Sequence, residues 1–247
     1  MESLHIALAP EILWNFFGIP VTNTLITAWI VMALLIGIAL FVGTRATLIP
    51  GKVQTGFETI FSLALSYIEE TLGDKKLAKK FFPLLLTIFL FILFANWIEF
   101  TPGIGSIGFY HGEEFSPLLR SVNTDFNATL ALAIIVFLVI EFTGIALLGI
   151  LKYGKKFVNF SSVLGFMMGM IELVSEVARL ISFSFRLFGN IFAGEVLIMV
   201  AVAFLPAILP VPLMLFEIFV GFIQAAIFSL LTLFFVKIAV MEPHSSH

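Results

Sequence analysis

The sequence predicts an all-α integral membrane protein, and three observations carry that expectation. Hydrophobic residues fill 60% of 247 positions, with 30 phenylalanines and a mean hydropathy of +1.13. No soluble core could close over that much apolar surface. The apolar runs are long enough for helices crossing ~30 Å of hydrocarbon, and too long for spanning strands. Lys and Arg cluster between the runs, and their placement, rather than the formal charge of −3, sets orientation.

The architecture predicted is one membrane domain, residues 1–247. It comprises about three ordinary transmembrane helices, one interfacial amphipathic helix and a C-terminal hairpin of two long, strongly tilted helices. Residues 1–20 form an outer segment with no basic n-region, so no cleavable signal is read there. Peripheral spans, the interfacial helix and loops occupy 21–160, the hairpin 161–240, and a polar tail 241–247.

Val21–Val42 is the first apolar run, and Arg45 and Lys52 after it place the N-terminus outside. In Lys52–Leu72 the residues Phe57, Ile60, Phe61, Ala64, Leu65, Ile68 and Leu72 recur at helical spacing opposite Glu58, Ser62, Ser66, Glu69 and Glu70. That pattern suits a helix lying in the interface, or one packed on a partner's soluble domain. Lysines in Asp74–Lys80 mark the inner side. Phe81–Phe100 spans outward and ends in the polar and aromatic rim Asn96, Trp97 and Glu99. A loop rich in Gly and Pro follows, with Arg120 its one basic residue. Phe126–Leu151 returns inward to Lys152, Lys155 and Lys156 and carries Glu141 near its middle. Asp125, Asn127 and Thr129 open it, as an N-cap, a water-facing lip, or both.

Ser161–Leu205 as one helix would measure ~65 Å at ~1.5 Å per residue, twice the hydrocarbon thickness. It must tilt strongly, bend or break. Pro206, Pro210 and Pro212 mark the reversal, and Pro212–Val240 returns with Glu217, Gly221 and Gln224 sharing a face. Within the first arm Glu172, Ser175, Glu176, Arg179, Ser182, Arg186 and Asn190 fall within roughly a third of the helix circumference, whereas Glu195 lies off that face. A charge at the bilayer centre costs about 2.5–3.5 kcal/mol or more, so a polar stripe kept there points to use. Arg186 keeps its proton at physiological pH, so it can impose a field and bind a carboxylate but cannot relay protons by titrating. No acid lies one turn from it along the chain. Its counter-charge would be Glu141, Glu217 or Glu195 of this chain, or a carboxylate of another subunit.

Composition narrows the chemistry. There is no cysteine, and the four histidines (His5, His111, His244 and His247) lie in termini or a loop. Neither disulfides, thiolate metal sites nor haem ligation within a span is available. No HExxH motif or serine–histidine arrangement suggests an intramembrane enzyme. No repeat between halves suggests an inverted-repeat transporter, although a self-contained secondary ion transporter with a midplane charged site is the competing class. No metal, cofactor or nucleic-acid partner is expected.

Arg186-Leu-Phe-Gly-Asn190, preceded by Ser182-Phe-Ser and followed by Ala193-Gly-Glu195, resembles the signature of subunit a of the F-type (rotary) ATP synthase, in its membrane Fo sector. Glu172 and Arg179 upstream, Asn96-Trp97, Asp125-Phe-Asn-Ala-Thr129 and Gln224-Ala-Ala-Ile-Phe228 extend the resemblance from about Val21 to the C-terminus. Leu180 stands where many members have proline, so no kink is expected there. Glu217 takes a position often held by histidine, which leaves open how it shares protons with Glu195. Glu141 matches no family position of known role.

The resemblance implies a non-catalytic stator subunit that packs 161–240 against a ring of c subunits, beside b-type peripheral stalk subunits in a lipid bilayer. Two offset aqueous half-channels would carry protons, or Na+, to and from the ring carboxylates. Arg186 would meet those carboxylates and block a leak. Glu195, Glu217, Gln224 and Asn190 would line the outer half-channel. Ser182, Arg179, Glu176, Ser175 and Glu172 would line the inner one, with Asp125, Asn127 and Asn96 as weaker candidates. The expected location is an energy-coupling membrane, foremost a bacterial plasma membrane with the C-terminus inside; thylakoid and mitochondrial inner membranes remain open.

Overall fold

Capping residues set most of the helix boundaries. In the computed structural model, which describes residues 10–16, 18–47, 50–101, 107–111, 114–157, 163–206 and 208–240, Thr22 caps α1 (Asn23–Arg45) by accepting the Leu25 N–H. Asp74 caps α3 (Lys75–Trp97) by accepting the N–H groups of Lys76 and Leu77. Asp125 does the same for α4 (Phe126–Leu148), accepting from Asn127 at 2.8 Å. Each satisfies donors that a helix start leaves free. Between them, α2 (Lys52–Leu72) stops at Gly73, whose φ of 69° only glycine adopts freely. Gly149, at φ 82°, separates α4 from the short α5 (Ile150–Phe157).

The hairpin follows as α6 (Val163–Phe204) and α7 (Pro210–Val240). α6 runs unbroken for 42 residues, about 63 Å at ~1.5 Å per residue. The re-entrant break considered from the sequence does not occur, and the helix continues through Leu180. A continuous rod twice the hydrocarbon thickness must lie strongly tilted if it stays in the membrane. Pro210 opens α7, earlier than the expected Pro212, because proline's fixed φ and missing N–H cost nothing at a first helical position.

Five helices among the described residues are long and apolar enough to cross a membrane: α1, α3 with its 3-10 extension to Phe100, α4, α6 and α7. The chain is therefore a multi-pass, all-α membrane protein. α3 begins more than a turn before the expected Phe81, since the lysine-rich segment continues the helix from its Asp74 cap. α4 ends before Leu151 because Gly149 turns the chain. The only strands among the described residues form two small antiparallel hairpins in the connecting segments. β1 (Ile12–Phe16) pairs with β2 (Ile19–Thr22), and β3 (Gly108–His111) with β4 (Glu114–Pro117). The expected tail 241–247, the first nine residues and Ser161 lie outside the described residues.

The core sits where α3 and α7 pack along each other. Phe81, Leu85, Ile88 and Ile92 of α3 meet Phe228, Leu233 and Val236 of α7, and Ala133, Val136, Phe183 and Leu187 close it from α4 and α6. α1 is buried mainly at its N-terminal end, through Asn23, Thr24, Thr27 and Val31, and presents Trp29, Ile36, Leu40 and Phe41 to its surroundings. Polar side chains lock the α3–α7 seam. Asn96 donates to the Gly221 carbonyl at 3.1 Å and accepts from Asn123 at 2.6 Å, while Trp97 donates to the Ile218 carbonyl at 3.0 Å. A Cβ on Gly221 would lie 3.0 Å from the Asn96 Cβ, so glycine there lets the helices close, as the sequence suggested.

Asn96→Leu strips a donor from Gly221 and an acceptor from Asn123 in a buried seam. It should cost about 1–3 kcal/mol of stability, read as a lower unfolding midpoint of the detergent-solubilised protein and weaker accumulation in membranes.

Candidate functional site

Arg186 lies towards the Asn190 end of the polar stripe of α6. Nine residues separate it from Glu195 and seven from Arg179, about 13 Å and 10 Å along the axis. Its guanidinium donates to the Ser182 hydroxyl at 3.2 Å. Among the described residues no carboxylate lies within ion-pairing distance of it. The three internal acids that could have neutralised it are placed elsewhere. Glu195 pairs with Arg120, Glu141 lies beside Tyr153, and the Glu217 carboxyl rests against Gly194. Beside Arg186 is a cavity of about 60 Å³ lined by Arg179, Ser182, Phe183, Leu231 and Phe235. Two guanidinium groups and a hydroxyl make it polar enough to hold water.

On the loop side of Arg186, acids converge from three helices. Glu195 of α6 accepts from Arg120 at 3.2 Å, a pair 75 residues apart in the chain and largely shielded from solvent. Glu99, just past α3, lies within electrostatic reach of Glu195 and Glu217 and beside Ser121 and Arg120. Glu217 of α7 is 7% exposed. A Cβ on Gly194 would overlap its carboxyl group, so the absent side chain makes its space. Glu217, Gln224 and Asn190 have no side-chain hydrogen bond among the described residues. Three carboxyl groups around one guanidinium leave an excess of acid there.

Asp125 and Asn96 frame this cluster. One Asp125 oxygen caps α4 and the other accepts from Thr24 at 2.9 Å, so the carboxyl is committed to joining α1 and α4. That is the N-cap expected from the sequence. Asn96 holds α3 to α7 as described above. Asn127 is exposed at the start of α4. Thr129 and Ser184 place their hydroxyls 3.3 Å apart between α4 and α6.

On the lysine-rich side, Glu172 and Glu176 share two cations. Lys156 of α5 lies 2.8 Å from Glu172 and 3.0 Å from Glu176, and Arg179 lies 3.1 Å and 2.8 Å from the same two. Two acids and two bases make a balanced network, the form in which charge tolerates partial burial. Arg179 also stacks over Phe235 at 4.8 Å. Ser175 faces the same end but bonds back to the Ile171 carbonyl at 2.8 Å. Glu141 points toward this network from α4. Tyr153 beside it occupies the gap left by Gly144, and burial, with Glu141 adjoining, pushes its phenol up.

Sequence reasoning placed the α6 residues but missed Arg120, Glu99 and Lys156. Arg120 had one signal, being the lone base of its loop. Lys156 had none beyond marking a membrane side, because its partners lie across a chain reversal. Ser182 and Asn190 do share the Arg186 stripe, and Glu195 does lie off it.

Five apolar spans, a lone guanidinium at depth and polar clusters to either side define a multi-pass membrane protein with charge built into its interior. A model of the family described as ATP synthase A chain matches residues 25–237. The chain is 37% identical over 246 residues to ATP synthase subunit a 2 of Syntrophotalea carbinolica, covering 99% of this chain and 95% of that one. It is 37% identical over 231 residues to ATP synthase subunit a of Mycobacterium tuberculosis, covering 92% and 89%. Against the Geotalea daltonii subunit a it is 34% identical over 216 residues, covering 87% and 86%. The chain belongs to the ATP synthase A chain family.

Arg120→Leu should lower stability more than Glu195→Leu, because it leaves Glu195 shielded beside Glu99 and Glu217 without its cation, whereas Arg120 keeps Glu99 within reach. The double substitution should recover part of the loss, with a coupling of about 1–3 kcal/mol. Unfolding midpoints of the four purified proteins close the cycle.

Proposed function

We propose that this chain is the stator subunit of an ATP synthase Fo sector, coupling transmembrane ion flow to rotation of a c-subunit ring. The observation that carries this reading is the contrast between cations. Arg120, Arg179 and Lys156 each have an acid of this chain, whereas Arg186 has none among the described residues. A charge held at depth without an internal partner needs an external one. A carboxylate on each passing c subunit meets that need.

The α6 surface around Arg186 suits such a partner. Ser182, Gly189 and Ala193 are exposed along it, and a Cβ on Gly189 would meet nothing within 4 Å. Small residues there let another helix come close. Arg186 favours the ionised form of the ring carboxylate opposite it. Its fixed positive charge also repels a hydrated proton, which blocks a direct leak. A ring site re-enters lipid once protonated, since the ionised form is too costly there. Rotation therefore requires that protons arrive by one route and leave by another.

Glu195, Glu217, Gln224 and Asn190, joined by Glu99 and Arg120, line the outer half-channel, with Asp125, Asn127 and Asn96 at its mouth and frame. Ser182, Arg179, Glu176, Ser175 and Glu172, joined by Lys156, line the inner one. About 2.3 kcal/mol per charge per 100 mV drives the transfer. The lysine-bearing ends face the cytoplasm of a bacterial plasma membrane, α6 and α7 face the ring, and b-type stalk subunits hold the chain static. Catalysis belongs to the soluble sector.

Arg186→Ala should abolish proton-driven ATP synthesis in membrane vesicles while the detached soluble sector still hydrolyses ATP. Retained coupled synthesis would overturn the assignment. Glu195→Gln should slow proton flux through assembled complexes, measured by fluorescent pH indicator, with the subunit still present in the membrane. Reconstituted alone in liposomes, this chain should move no ion; sustained transport would favour a self-contained transporter.

A further inference from the structure

Away from the charged hairpin, α2, α3 and α7 line an apolar recess of about 320 Å³, open along one side. Ile60 and Ala64 line it from α2, Leu86 and Phe89 from α3, and Ala226 and Leu230 from α7. Two of its lining residues carry hydroxyls: Ser229 of α7 already donates to the Leu85 carbonyl at 3.0 Å, and Tyr67 of α2 is exposed at its edge. The rest of the wall is apolar, so it favours an apolar occupant whose atoms make dispersion contacts with the lining. Size restricts the choice. A helix with side chains is at least ~10 Å across, so a recess of 320 Å³ could take in only a few of its side chains. A flexible hydrocarbon chain fits, and the flanking spans α3 and α7 put the cavity within reach of lipid tails.

Charge selects the kind of lipid. Lys75 and Lys79 precede Phe82, Leu86 and Phe89 at alternating steps of four and three residues, so all five share one face of α3. Lys79 stands one turn, about 4.5 Å, from Phe82 of the lining, on the membrane-surface side of the cavity. Both lysines are exposed. Lys75 makes only a 4.0 Å contact with Glu69, and Lys79 has no ion pair among the described residues. Glu58 and Glu69 lie on the side of α2 opposite its cavity-lining residues. A lysine can lay its methylenes along the apolar wall and hold its ammonium at headgroup level.

We propose that this cavity is a structural site for an anionic phospholipid, with one acyl chain between α2, α3 and α7 and the headgroup phosphate on Lys79 and Lys75. The bound chain fills the wedge between the amphipathic helix and the spans, and fastens α2 to the membrane domain. The site is separate from Arg186 and does not depend on the ion-coupling role.

The intact complex, reconstituted in nanodiscs, is illuminated with phosphatidylglycerol or phosphatidylcholine carrying a photoreactive diazirine in one acyl chain. Adducts are mapped by mass spectrometry. Adducts on the cavity residues should favour phosphatidylglycerol roughly tenfold, while those on lipid-facing Ile36 and Leu40 of α1 show no preference. Ala64→Trp, or Ala226→Leu if the first fails to accumulate, should remove the cavity adducts and spare those on α1. Lys75→Gln with Lys79→Gln should abolish the preference and keep the labelling. Cavity labelling equal to that of α1, insensitivity to both filling substitutions, or side chains of another subunit cross-linked in the cavity would each overturn the proposal.

Discussion

A permanent positive charge inside a low-dielectric slab is the constraint to which the rest of this structure responds. A guanidinium does not give up its proton to escape burial, as a lysine or a carboxylic acid can. The surrounding protein must offer an acid, a wet cavity or a partner. Elsewhere the first solution is used: Arg120 has Glu195, and Arg179 and Lys156 share Glu172 and Glu176. Arg186 has a hydroxyl and a small cavity instead. That difference, and not the amount of charge in the hairpin, sets it apart.

Distance along α6 keeps the two polar clusters from merging. Between them the buried side of the helix packs on carbon, with the small cavity beside Arg186 as the polar exception. Phe183 lies 4.7 Å from Phe228 and 5.6 Å from Phe235, and Phe185 packs 4.9 Å from Phe126. Leu187 and Ile191 are buried on the same stretch. The balanced network at one end and the acid-rich cluster at the other are therefore separate electrostatic compartments on a single rod. About two turns of helix lie between Arg186 and the nearest member of either cluster.

Much of this was legible in the sequence because it is local. Run length marked the spans, and periodicity placed Glu172, Ser175, Glu176, Arg179, Ser182, Arg186 and Asn190 on one face. The Asp125 cap and the close approach at Gly221 followed from single residues. Contacts between distant segments were not legible. Nothing in a lone loop arginine indicates that it meets Glu195, and nothing in a lysine after α4 indicates that it bridges two acids on α6. Asp74 did carry the signal for the early start of α3, but its lysine-rich neighbours read more strongly as a membrane-side marker. The two strand hairpins lie outside the spans, where hydropathy says little and pairing depends on which segments meet.

The contact between Gly194 and Glu217 ties two helices by volume alone. Position 194 has no latitude by itself, since the carboxyl on α7 fills the space that a side chain on α6 would take. A lineage could move the bulk from one helix to the other only by changing both residues together, first shrinking position 217 and then enlarging position 194. Bulk at position 194 is thus conditional on what stands at position 217.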